Sequence, residues 1–143
     1  MVAPATAATA KKPKVHDDSN APDYDELHKF VWKQMQKVTA RWPKVKTTAN
    51  LCIDRALTQY GEEHKPAVEQ FAKLKNLLND GNSMYNVLEG VRAEVMILGK
   101  KYHSKGRLIE CSGICTKLRH SFREIAIDVR ALRQAERVSL DSS

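Results

Sequence analysis

The chain has 143 residues, of which 24 are Lys or Arg against 17 Asp or Glu, giving a net charge of +7; 42% are apolar and 29% charged. That length gives one core room and cramps two, while six glycines and five prolines exclude a collagen-like or low-complexity chain. No run approaches the roughly 18 apolar residues of a membrane span, so no transmembrane segment is expected. Three scattered cysteines behind no secretory leader point to a reducing, intracellular compartment rather than a disulfide-stapled scaffold.

Residues 1–22 hold Ala, Thr, Pro and Lys with almost nothing to bury, and read as a disordered tail. Within it, Lys11, Lys12 and Lys14 form a basic patch suited to a nuclear address or to touching nucleic acid. The tail has no Arg and no amphipathic pattern but also no acid before Asp17. That leaves mitochondrial import open beside a cytoplasmic or nuclear location.

Residues 23–140 read as a single helical bundle domain. Asp23 and Glu26 have capping-box spacing, and Leu27, Val31, Met35, Val38 and Trp42 then recur at helical intervals. Pro43 has no amide proton and disfavours helical geometry before it, so a first helix is expected to stop at Trp42. A second, from about Lys44 or Thr48 to Tyr60, is expected to bury Val45, Leu51, Cys52, Ala56, Leu57 and Tyr60, with Gly61 and Pro66 closing it.

Beyond Pro66, Ala67, Leu74, Gly81, Leu88, Val95 and Tyr102 fall every seven residues. Gln70, Leu77, Met84, Val91 and Leu98 form a second row. The stretch Asn79-Asp80-Gly81-Asn82-Ser83 has the chemistry of a helix stop and restart. An inserted turn has no reason to keep a seven-residue phase, so one continuous helix over about 66–104 is preferred. After Gly106, Leu108, Cys111, Cys115, Leu118, Phe122, Ile125, Val129 and Leu132 follow at spacings of three and four, predicting a helix over about 107–139. The short link makes these two an antiparallel hairpin. The expected fold is therefore all-α: a four- to five-helix bundle built on that hairpin. Phe71, Leu78, Tyr85, Ile109, Ile114 and Ile127 lie beyond the seams and need a cover, from the earlier helices or from another chain.

No catalytic residue, metal ligand set or cofactor site is assigned, and an enzyme is not expected. The histidines at 16, 28, 64, 103 and 120 have no His or Cys at helical ligand spacing. Cys111 and Cys115 are one turn apart but occupy seam positions, where small soft side chains belong to a core. Gly99-Lys100-Lys101 and Lys105-Gly106-Arg107 follow no strand and lack phosphate-loop spacing.

The arginines are distributed unevenly. Up to residue 104 there are 3 Arg and 13 Lys; from 105 onward there are 6 Arg and 2 Lys. Arg119, Arg123, Arg130, Arg133 and Arg137 share one face of the last helix, and the first three have no acid at helical spacing. Either this stripe pairs with acids of a neighbouring helix, such as Glu89 and Glu94, or it awaits carboxylates or phosphates from outside. The leading expectation is a non-enzymatic helical interaction or assembly module, a scaffold or adaptor that binds a protein partner or itself through helix faces, with the stripe setting orientation. The alternative is a sequence-independent nucleic-acid-binding protein gripping phosphates with the tail lysines and the stripe. Docking to an anionic membrane surface is a third use of the same charges.

Overall fold

The computed structural model describes residues 16–60 and 65–142, with side chains over 16–59 and 68–134. Three long helices, α1 (Tyr24–Tyr60), α2 (Lys65–Leu98) and α3 (Lys105–Ser142), pack on one another. Two 3-10 turns flank them, at Asp17–Asn20, inside the expected tail, and at Lys100–Tyr102. The described residues are all-helical as expected, but with three long helices in place of four or five.

The difference lies at Pro43, which sits inside α1 instead of ending a helix. The missing amide proton leaves the Thr39 carbonyl without its usual donor, a cost of about 3 kcal/mol in a helix interior. Continuing the helix puts Ala49, Cys52, Ile53 and Ala56 into the core behind Val31, Met35, Val38 and Trp42. At about 0.8 kcal/mol per buried methylene-sized group, these four side chains together gain several kcal/mol, so packing outweighs the proline. The buried positions 31, 35, 38, 42, 49, 52 and 56 share one seven-residue phase across it. Leu51, expected inside, is 59% exposed, because the continued phase turns it outward.

α2 runs unbroken through Gly81, as the seven-residue phase favoured. Gly81 is a packing notch: a Cβ there would lie 2.6 Å from Cζ3 of Trp42. The indole reaches across from α1, its Nε1 donating to Asn82 Oδ1 at 3.3 Å, and stacks on Phe122 of α3. α2 ends at Leu98 rather than near residue 104, because Gly99 takes a φ of 101°, a left-handed geometry suited to glycine. Its buried face is also broader than a two-row seam. Phe71 and Leu78 join Leu74, Leu88 and Val91 in the core, since this helix faces both neighbours.

α3 starts at Lys105, where Ser104 Oγ accepts the Arg107 amide at 3.1 Å and Asp18 Oδ2 accepts the Lys105 amide at 2.8 Å. All eight seam residues from Leu108 to Leu132 are buried. Burial pushes the Cys115 thiol up to about 11, with the Cys111 thiol beside it adding to the effect. Both belong to the core and neither is primed as a nucleophile.

Side-chain contacts fix the directions of the helices. Lys73 meets Asp128 and Glu94 meets His103, so α2 and α3 run oppositely; Gln34 meets Ser112 and Trp42 meets Phe122, so α1 and α3 run alike. At one end the start of α1 is tied to the α2–α3 link. Tyr24 donates to the Lys100 carbonyl at 2.8 Å and to that of His103, while Lys105 pairs with Asp23 at 2.8 Å and Lys100 with Asp25 at 3.0 Å. His28, stacked on Trp32, and His103 are buried there, and burial lowers both imidazoles below their ordinary range.

Candidate binding groove between α1 and α3

Ser112 donates to Gln34 Oε1 at 2.8 Å, which marks the α3 flank that faces α1. Arg119, Arg123, Arg130 and Arg133 follow Ser112 along that flank, all exposed. The acids of this stretch take the other flank. Asp128, itself buried, meets Lys73 of α2 at 3.4 Å, and Glu124 lines a cavity shared with Leu77 and Met84 of α2. α3 thus separates its charges by neighbour, arginines toward α1 and acids toward α2.

Pairing of the stripe with Glu89 and Glu94 does not form. Glu89 accepts from Arg92 Nη1 at 2.8 Å within its own helix, and Glu94 lies 3.6 Å from His103 Nε2. Among the described residues, no acid lies within ion-pair distance of Arg119, Arg123, Arg130 or Arg133.

Between α1 and α3 lies a cavity of about 400 Å³. Its floor is apolar, made by Val45 of α1 and by Phe122, Ile125, Ala126 and Val129 of α3. Its rim is cationic: Arg41 and Lys44 on the α1 side, Arg130 and Arg133 on the α3 side, with Thr48 the only other polar residue. The Arg41 guanidinium lies 5.5 Å above the centre of the Phe122 ring, which holds it at the groove wall. A second cavity of about 310 Å³, lined by Thr48, Leu51, Cys52, Arg55 and Arg133, adjoins the first and shares Thr48 and Arg133 with it. Leu51, displaced from the core, is therefore a groove wall.

Of the residues singled out from sequence, Arg130 and Arg133 line the groove. Arg119 and Arg123 continue its flank without touching the cavity. The side chain of Arg137, and Lys11, Lys12 and Lys14, lie outside the described residues. Sequence spacing missed Arg41 and Lys44. Their signal was present, since Lys37, Arg41, Lys44 and Thr48 recur at four, three and four, but a helix stopped at Trp42 divides that line. Among the described residues, no three His, Cys, Asp or Glu side chains come together as a metal site, and no helix is long and apolar enough to cross a membrane. The chain matches no protein-family model, no curated protein and no solved structure.

Proposed function

We propose that the protein is a non-enzymatic helical adaptor that docks an acidic amphipathic helix of a partner protein in the α1–α3 groove. The observation that carries this reading is the combination of four cations, Arg41, Lys44, Arg130 and Arg133, with no paired acid among the described residues, around an apolar floor. A helix with an apolar ridge between acidic flanks complements both parts, and helix-in-groove docking is a common mode of peptide recognition. The cations steer and orient; the floor supplies desolvated contact. The floor also favours a helix over a nucleic-acid backbone. A sequence-independent phosphate grip has no use for Val45, Ile125 and Val129, and Phe122 is buried in the seam rather than free to stack on a base.

The test uses the full chain and fluorescence anisotropy, with two probes: a labelled alanine-based helix carrying glutamates beside a leucine ridge, and a labelled DNA duplex. The peptide is expected to bind, and Arg130→Glu with Arg133→Glu to weaken it at least about tenfold, the equivalent of about 1.4 kcal/mol. Both residues are exposed, so the melting temperature should hold. Binding of the duplex alone, falling steeply between about 50 and 200 mM salt and lost in the same variant, would replace the adaptor reading with the phosphate-grip reading.

A further inference from the structure

The two cavities of the groove are related by a shift of seven residues. On α1 the first is lined by Arg41, Lys44, Val45 and Thr48, and the second by Thr48, Leu51, Cys52 and Arg55. Each position of the first set, moved on by seven, gives a position of the second. Seven residues of helix advance about 10 Å, so the groove is a track with two holes about two turns apart.

From this we infer that the occupant is an acidic helix that presents two large apolar side chains seven residues apart, one to each cavity. The inference rests on the adaptor reading and adds the spacing the partner must carry. A helix laid nearly along α1 repeats its facing positions every seven residues, so one anchor over Phe122, Ile125 and Val129 brings the next over Leu51 and Cys52. The cations fit the same geometry. Arg41 and Lys44 on one rim, and Arg130 and Arg133 on the other, are each three residues apart, the interval at which glutamates share one face of a helix. Charge complementarity selects the occupant, because the rim of the first cavity carries four cations and no acid.

The form of the site favours a linear partner over a compact small molecule. The two cavities adjoin end to end and share Thr48 and Arg133, which makes one extended trough. It is bounded at the other end, where the Ser112–Gln34 hydrogen bond joins α1 to α3.

The experiment compares three labelled alanine-based helices of about 21 residues, long enough to hold helical structure when docked. All carry the same glutamates; the first has leucines at i and i+7, the second at i and i+5, and the third has alanine at both sites. Titrated with the full chain, the first is expected to bind at least about tenfold tighter than the other two. Ala126→Phe, which fills the first cavity and leaves every cation in place, should remove most of that advantage, with circular dichroism checking the fold. Equal affinity for the three helices would overturn the anchor spacing and leave charge-driven docking standing. Absence of binding by all three would sink the spacing and the adaptor reading together.

Discussion

Trp42 touches α2 at Gly81 and Asn82 and α3 at Phe122, so one side chain of α1 reports on both neighbours. Gly81→Ala puts a methyl into the indole. Overpacking of a tight core costs about 1–3 kcal/mol, and the better helix propensity of alanine returns about 1. A net loss of up to about 2 kcal/mol in urea unfolding is expected. Gly90, on the same helix, has nothing within 4 Å of where a Cβ would stand. Gly90→Ala should therefore stabilise by up to about 1 kcal/mol, and opposite signs for the two glycines are the result that checks the notch. For the cysteines, burial and a raised thiol predict slow alkylation of Cys111 and Cys115 in the native protein and fast alkylation in denaturant. Rapid native labelling, followed by mass spectrometry, would contradict their place in the seam.

At the scale of the element, the last helix was the most legible, because a stripe of three and four spacing with no proline inside leaves one way to fold and one face to bury. The first helix was the least. Pro43 and Gly81 are both breakers by local chemistry, and in both cases the apolar phase runs through them undisturbed. Phase therefore outweighs local propensity at both positions, at Pro43 as at Gly81. The consequence reaches the site: a helix ending at Trp42 turns Leu51 inward and divides the Arg41–Lys44 edge between two helices, whereas the continuous helix puts Leu51 and both cations on the groove. On α2 the two-row seam missed Phe71 and Leu78 because a helix with two neighbours needs a wider apolar face than a hairpin partner does. Pro43 is exposed, so its replacement removes no core contact. Pro43→Ala should restore a donor for the Thr39 carbonyl and raise stability by about 1–3 kcal/mol, read from the urea midpoint. A loss instead would show that the bundle uses a bend at this point.

At the scale of the whole molecule, the cluster of Tyr24, His28 and His103 joins the start of α1 to the α2–α3 link, and it should make stability depend on pH. His28 is held low chiefly by burial, with Lys100 and His103 adding to this and Asp25 opposing it; His103 is held low by burial, with Arg107 and His16 adding and Glu94 opposing. Lowered imidazoles are neutral in the folded protein and take up protons more readily when it unfolds. Stability is therefore full above the ordinary value of 6.5 and is lost as pH falls below it toward the folded values. Urea midpoints should hold between about pH 8 and 7 and decline below about 6.5, and His28→Phe, which keeps a ring on Trp32, should reduce the decline. A profile flat down to about pH 5 would place the titration elsewhere.

The same tie has a consequence for synthesis. Every described hydrogen bond or ion pair between α1 and α3 or its preceding link joins residues 75 to 87 apart, counting the Asp18 cap, whereas α2 and α3 are neighbours across a six-residue link. α1 leaves the ribosome first and its main partner last. At about 5–20 residues per second, its apolar stripe waits several seconds or more for α3 to emerge. During that wait α2 alone can shield it, through the Trp42–Gly81 notch and the Arg92 side chain that donates to Thr39 and covers Trp32. Gly81 should thus matter to the nascent chain as well as to the finished core. Variants there should lower yield in the cell more than their loss of stability in the test tube accounts for.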